Sequence, residues 1–467
     1  MIVIDQDCEK SLSEQIYACI VQEIITGNRR AGEKLPATRR LAVELCVSRN
    51  TVNAAYQQLM VEGYVEARGG SGYLVNEVPI EVSSPKEQHY LTPVKKVGKS
   101  IQEYDYAFEY GAIDNECFPF REWRKSMAHA LDQIELSPRN VYPDRQGDLS
   151  LRSELSRYLY QSRGVTCDVS QIIITAGHQY SMEILANVFQ NSGKIFAMEN
   201  PGYDGIRTVF SNHKYYILPV PVERDGICMD VLQTIRPDLL YLTPSHQFPL
   251  GCVLPVAKRK KILQWAYENN TYIIEDDYDS ELRYYTNPLP SMHSLDYYNR
   301  TIYAGSFSKS LSPSLRTAYL VLPKHLMSVY HHYYQRYNSY VSHMIQLAIS
   351  DFMSSGRYER HLNRIRMIYR KKQESFLNAV EDIFGTKAEC IGDKAGMHIL
   401  LEVRANLSQE ELQRRAKKIG IMVYPTRQYY MTENSCPENQ LLLGFSSIPD
   451  HKFRELLTAL HNVWFTT

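Results

Sequence analysis

The chain has 467 residues, 44% of them hydrophobic, and its 52 Lys plus Arg balance 52 Asp plus Glu; at about 150 residues per domain this predicts roughly three globular units and excludes a disordered or fibrous chain. A net charge of zero excludes a globally basic nucleic-acid binder, so any hold on phosphates must come from a local cluster of cations. No apolar run reaches bilayer length, no basic-then-apolar leader opens the chain, and the nine cysteines include no C-x-x-C pair, which together predict a cytoplasmic protein with reduced thiols, no membrane segment and no zinc site.

Leu12, Ile16, Tyr17, Ile20, Val21 and Ile24 share one helical face. Arg29, Arg30, Lys34, Arg39, Arg40 and Arg49 follow as a local cationic cluster, interrupted only by Glu33 and Glu44. After Pro36 a second short helix carries Leu41, Ala42 and Leu45. Ser48 is a good N-cap for a third, whose buried stripe is Val52, Ala55, Tyr56, Leu59 and Met60. Arg49, Asn50, Asn53 and Gln57 are left on the opposite face, where polar groups suit base edges or phosphates. YVEARGGSGYLV then reads as two strands joined by a glycine turn. Short amphipathic helices alone fit a small bundle equally well. The ordered string LP-x-x-R-x-LA, VSRNTV, L-x-x-EGY and G-x-GY, however, resembles the GntR family of winged-helix regulators over residues 1–76. That resemblance implies a DNA-binding winged helix-turn-helix with Arg39, Arg49 and Thr51 on DNA and Gly70 and Ser71 at the wing tip; Arg40, Ser48, Asn50 and Asn53 complete the candidate set. Ala37 stands where the family commonly has Ser, which removes one phosphate hydrogen bond.

Residues 77–103 contain Pro, Ser and mixed charges without apolar periodicity and read as a linker. From residue 104 onward, short β-branched runs (QIIIT, KIFAM, LLYLT, TYIIE, TIYAG) alternate with helical segments such as 256–270. Buried strands alternating with helices predict a largely parallel sheet covered on both faces. From about residue 355 a long charged helix and mixed strands predict a smaller C-terminal α+β lobe. The expected fold is a mainly α winged helix-turn-helix followed by an α/β domain spanning 104–467.

Within YAGSFSKSLSPSLRTAYL, Lys309 follows a buried strand beside Ser306, Ser308 and Arg316. An amine in an apolar site has a lowered pKa and forms imines with aldehydes, while hydroxyls and a guanidinium bind phosphate. Those needs together describe pyridoxal 5'-phosphate (PLP) held as a Schiff base. In IIEDDYDSE, Asp276 is the expected partner of the pyridine nitrogen, with Asp277 as the alternative, and Tyr278 can reach the phenolic oxygen. ITAGHQYS brings the backbone N–H groups of Gly177, His178 and Gln179 to a helix N-terminus suited to an anion, and Tyr203 in ENPGY is placed to stack on the ring.

With TPSHQFPLG and the G-x-x-x-RHL-x-R-x-R string from Gly356, these motifs resemble the fold type I aminotransferases from about Phe108 to the end, and more narrowly the MocR (GabR-like) branch of GntR regulators. The resemblance implies Lys309 as the PLP lysine, Asp276 and Tyr278 on the ring, and Ser306, Ser308 and Arg316 on the phosphate. It also points to Arg427, in YPTRQYY, as a clamp for an amino acid's carboxylate, with Arg207 as a second candidate. Aminotransferases usually carry Asn before Pro-x-Gly. Here Phe248 precedes Pro249, so His246 or Gln247 is expected to take over the contact with the phenolic oxygen. His331–His332 has no third ligand at sensible spacing and reads as a surface or interface helix.

The expected function is that of a transcription regulator in which an amino compound displaces Lys309 to form an external aldimine. Closure of the small lobe around that adduct then biases two DNA-binding heads. A homodimer is expected, each head crossing to its partner's body and the operator carrying repeated half-sites, with RNA polymerase as a further partner and a location at the nucleoid. Two rivals stand beside it: a regulator sensing PLP itself, and an aminotransferase with a DNA-binding head, whose turnover is expected to be weak without the missing Asn.

Overall fold

A computed structural model of the chain describes residues 4, 10–69, 72–77, 104–139, 141–284, 289–392, 395–432 and 435–466. All but the first residue of the expected linker, and the expected wing-tip residues Gly70 and Ser71, lie outside the described residues. The chain divides into two compact units, 1–101 and 102–467.

The N-terminal unit runs α1 (Leu12–Ile25), α2 (Thr38–Glu44), α3 (Arg49–Val61), β1 (Val65–Arg68) and β2 (Gly72–Val75). A capping box between Ser11 and Glu14 starts α1, satisfying N–H groups that have no intrahelical partner. Ile16, Ile20 and Ile24 on α1 pack with Val52, Ala55, Tyr56 and Leu59 on α3, all buried. The Tyr56 hydroxyl donates to the Pro36 carbonyl at 2.9 Å, tying α3 to the entry of α2. β1 and β2 pair antiparallel with Val65 opposite Val75, and Lys34 adds a bridge to Leu74. Met60, expected in the buried stripe, is 39% exposed. It lies about 100° past Leu59 on the last turn, beyond the arc that α1 covers.

In the second unit the strands are β3 (Tyr106–Ala107), β4 (Ile172–Thr175), β5 (Ile195–Asn200), β6 (Tyr216–Glu223), β7 (Gly226–Ile227), β8 (Leu239–Leu242), β9 (Tyr272–Asp276), β10 (Thr301–Ser306) and β11 (Ala318–Val321). β4 and β5 to β11 form one sheet in the order β4-β11-β10-β9-β8-β5-β6-β7. From β10 to β6 every neighbour is parallel, whereas β11 runs antiparallel to both of its neighbours. The five apolar runs read from the sequence fall on β4, β5, β8, β9 and β10, and their side chains are buried on both faces except at the first residues of β5 and β9. In such a sheet ligands bind outside the carboxyl ends of the parallel strands. Those ends bring Thr175, Asn200, Thr243, Asp276 and Ser306 to one side.

The smaller lobe is an antiparallel sheet in the order β12-β13-β16-β15, made of β12 (Ala388–Ile391), β13 (His398–Val403), β15 (Tyr424–Pro425) and β16 (Gln440–Gly444). Helices Arg357–Phe384 and Phe453–Phe465 cover it, with Phe376, Phe384, Leu401, Leu443 and Trp464 in the core. The short β14 (Ile421–Met422) pairs in parallel with β3, so residues 106–108 belong to this lobe although they lie far ahead of it in sequence. The Gly444 N–H donates to the Phe108 carbonyl at 2.9 Å and extends that attachment. Among the described residues no helix is long and apolar enough to cross a membrane.

Candidate functional site

At the carboxyl ends of the parallel strands lies a cavity of about 510 Å³. Its lining includes Lys309, Asp276, Tyr278, Tyr203, His178, Gln179, Ser306, Ser308 and Arg316, which the sequence singles out from segments more than 100 residues apart. Phe248, noted in the sequence only as a departure, also lines it. Glu109, Tyr110, Gly111, Ala112, Tyr241 and Thr243 line it too, and sequence reasoning missed all six. The 109–112 segment reaches the cavity because β3 anchors it to the small lobe, and a two-residue strand carries no periodic signal.

The Lys309 ammonium nitrogen stands 4.0 Å over the Tyr110 ring centroid. Gly111 leaves the amine its space, since a Cβ there would lie 2.7 Å from Nζ. Burial pushes the amine down to about 8, against the opposing pull of Asp279 and Glu109. The neutral, nucleophilic form therefore makes up about a tenth of the population at pH 7.

Asp276 closes β9. The Tyr241 hydroxyl donates to its Oδ2, His178 Nε2 lies 3.0 Å from the same atom, and Oδ1 is buried without a protein partner. Asp277 does not reach the cavity. Successive strand residues point to opposite faces, and its carboxylate accepts from Arg163 Nε at 2.6 Å, Ser280 Oγ at 2.8 Å and the Tyr303 hydroxyl. Of the two carboxylates, only Asp276 presents an open acceptor to the cavity.

Gly177 starts helix His178–Val188 with φ 93° and ψ 165° and no side-chain cap. The first-turn N–H groups there are free to meet an anion. A Cβ on Gly177 would lie 2.4 Å from Arg316 Nη2, so the guanidinium rests against the bare glycine. Arg316 itself adopts φ 47°, uncommon for a residue with a Cβ. The Ser308 N–H donates to Ser306 Oγ at 3.0 Å and fixes the turn that leads into Lys309. An amine, an orphaned buried carboxylate oxygen and an uncapped helix start beside a guanidinium and two hydroxyls fit PLP's aldehyde, pyridine nitrogen and phosphate respectively.

His246, expected at the phenolic oxygen, does not line the cavity. It is 1% exposed, with Nδ1 2.7 Å from Asp279 Oδ2, and sits behind Tyr278, whose hydroxyl donates to the His246 carbonyl at 2.9 Å. Gln247 is also committed elsewhere: its amide donates to the Pro201 carbonyl at 2.9 Å and accepts from the Leu250 N–H at 3.0 Å. Neither replaces the missing Asn, because the tight turn closed by the Gly251 N–H on the Gln247 carbonyl at 2.7 Å carries both side chains away from the ring site and leaves Phe248 facing it.

Arg427 and Arg207 do not line the cavity either. Arg427 is half exposed with Nε 3.4 Å from Glu410, and Arg207 donates to the Gln428 carbonyl at 2.9 Å. Arg207 thus staples the turn that bears Arg427 and Tyr429, and Tyr429 packs edge-on against Phe248 at 4.9 Å.

In the N-terminal unit Arg39, Arg49 and Asn50 are exposed, and Thr51 and Asn53 are half-buried. Arg40 Nε is 2.7 Å from Glu44, and Arg29 is paired with Glu23 at 2.7 Å, which thins the cationic cluster. Ser48 Oγ accepts from the Thr51 N–H at 3.1 Å, the N-cap expected from the sequence, and lies 2.8 Å from the Thr51 hydroxyl. His331 and His332 are exposed on helix Met327–Tyr334, and among the described residues no three His, Cys, Asp or Glu side chains are placed to hold a metal ion.

Two families match this chain: bacterial regulatory proteins of the gntR family over residues 12–75, and aminotransferase class I and II over residues 108–460. The HTH-type transcriptional regulator YdeL of Bacillus subtilis is 38% identical over 97% of this chain and 96% of its own length. The probable rhizopine catabolism regulatory protein MocR of Rhizobium meliloti is 32% identical over 99% of this chain and 96% of its own. Among solved structures, the α-aminoadipate aminotransferase LysN of Thermus thermophilus, complexed with N-(5'-phosphopyridoxyl)-L-leucine, is 28% identical with a TM-score of 0.69, covering 77% of this chain and 91% of LysN.

Proposed function

The chain belongs to the MocR branch of the GntR family, DNA-binding transcription regulators whose body has the aminotransferase class I and II fold, and from that premise we propose that it senses a primary amine through PLP on Lys309. The observation that carries this reading is the buried Lys309 amine, lowered by burial to about 8, in one cavity with Asp276, Ser306, Ser308 and Arg316. When bound, PLP supplies an aldehyde that condenses reversibly with primary amines. Lys309 holds that aldehyde until an effector amine competes for it. Asp276 Oδ1 keeps a proton on the pyridine nitrogen, while Arg316, Ser306, Ser308 and the first N–H groups of helix His178–Val188 hold the phosphate. Tyr203 walls the ring, and Arg427, on the turn that Arg207 staples, is the candidate partner of an effector's carboxylate. Phe248, apolar where an enzyme needs a polar contact to the phenolic oxygen, favours sensing over turnover.

In this reading residues 1–76 bind DNA, 77–103 link, and 104–467 sense. A cytoplasmic homodimer then places two heads on two half-sites. The test is a visible absorption spectrum of the purified chain with PLP, before and after a panel of amino compounds. A band that one compound shifts without product establishes the sensor. Decay to the pyridoxamine form means a transaminase, no response to any amine with operator affinity following PLP alone means a PLP sensor, and no band removes the cofactor. Independently, Arg49→Ala is expected to weaken operator binding about 10- to 100-fold, the worth of one good base or phosphate contact. Cofactor absorption should stay unchanged; equal operator affinity in a salt titration would take Arg49 off the DNA.

A further inference from the structure

Behind Lys309 lies a buried cluster that the cofactor contacts leave unused. His246 and Asp279 are 1% and 3% exposed and meet at 2.7 Å through Nδ1 and Oδ2. The Tyr278 hydroxyl is 3.1 Å from the same nitrogen. Gly396 of the small lobe, at φ 77°, lies flush over this contact: a Cβ there would be 2.4 Å from His246 Cε1 and 2.7 Å from Asp279 Oδ2. The His398 ring at the start of β13 is 5.2 Å from His246 and 5.0 Å from Tyr110, the ring that carries the Lys309 amine. His246 Nε2 and His398 Nδ1 are buried without partners.

A carboxylate removed from water is costly unless a donor holds it. His246 is that donor, and Gly396 leaves room for the pair and for nothing larger. Asp279 in turn acts on Lys309, favouring its charged form against burial, and Glu109 assists from the 109–112 segment. The other charged or titratable groups around the pair are Tyr278, Tyr110, His398 and Arg283.

We propose that His246 is a positioning residue: it holds Asp279 in place beside the His398 and Tyr110 rings on which the Lys309 amine rests, and through Asp279 it sets how readily that amine reacts. The proposal rests on Lys309 being the reactive amine of the reading above. It explains the TPSHQFPLG and DDYDSE motifs as two halves of one device, with His246 acting through Asp279 and never on the ring.

Two measurements test it. In the PLP-free chain, labelling of Lys309 by acetic anhydride is followed by mass spectrometry across pH. With PLP, the visible band is titrated across the same range. Asp279→Asn removes the charge at nearly constant volume and is expected to move the labelling midpoint down by about one pH unit, raising labelling at pH 7 by up to about tenfold. His246→Phe should shift it in the same direction, and His246→Gln, which keeps an N–H donor, should restore most of the wild-type midpoint. An unchanged midpoint in folded Asp279→Asn overturns the proposal, as does His246→Gln behaving like His246→Phe. If His246→Phe does not fold, the two near-isosteric variants decide. Absence of a PLP band in the wild type would sink the cofactor reading alone, because labelling still reports on His246 and Asp279.

Discussion

Replacing Lys309 with methionine is expected to abolish the visible band acquired with PLP and, at neutral pH, to stabilise the ligand-free chain by about 3 kcal/mol. The first effect follows from the loss of the only lysine among the described residues that line the cavity. The second follows from what the fold imposes on that amine. Burial lowers Lys309 from 10.5 to about 8, so between those values the unfolded chain binds more protons than the folded one, and stability rises with pH across the window. Below about pH 8 the whole cost of protonating a buried amine is present. Methionine, unbranched and apolar, fills the same channel over the Tyr110 ring without that cost. Urea unfolding of the two proteins without PLP should differ most at pH 7 and converge as pH approaches 10.5. A variant less stable at pH 7, or a difference independent of pH, would mean that Lys309 is already solvated or paired in the folded chain. Stability sacrificed at a buried reactive group is the common pattern at functional sites.

Much of this site was legible in the sequence because its chemistry sits in short local strings. The serines, Lys309 and Arg316 lie within eleven residues of one another at the end of β10. Asp276 and Tyr278 flank the end of β9, and Gly177 opens a helix directly after β4. The β-branched runs that became strands were readable because a sheet covered on both faces needs uninterrupted apolar sequence. What could not be read depended on direction in space. Asp276 and Asp277 are equivalent in sequence, and the choice between them is the parity of a pleat. His246 and Gln247 look available to the ring, yet the turn at Gly251 aims both elsewhere. Tyr241 and Thr243 read as ordinary residues in and after a strand, and Tyr110 reaches the lysine only because β3 joins a lobe whose other strands begin more than 280 residues later. Met60 missed the core for a related reason: helical period gives a face, and its neighbour decides how wide the buried part is.

Gly177→Ala is expected to weaken PLP binding by at least about 100-fold while leaving Lys309 and its amine untouched. Two costs combine. The backbone at φ 93° and ψ 165° lies in a region that essentially only glycine enters, and a side chain there stores about 1–3 kcal/mol of strain or forces the helix start to move. The new Cβ also occupies the space 2.4 Å from Arg316 Nη2, so the guanidinium must leave the phosphate position. Losing one charge-assisted hydrogen bond costs about 1.5–3 kcal/mol. Absorbance titration with PLP at fixed pH gives the affinity, and Arg316→Ala together with the double variant completes a cycle. If the alanine acts by displacing Arg316, the double variant should bind little worse than the Arg316 variant, with only backbone strain adding. Full additivity would mean that Gly177 serves the helix N-terminus alone, and unchanged affinity in Gly177→Ala would move the phosphate site away from helix His178–Val188 altogether. The Lys309 and Gly177 variants therefore separate the two ends of the cofactor: one removes the bond and spares the cradle, the other removes the cradle and spares the amine.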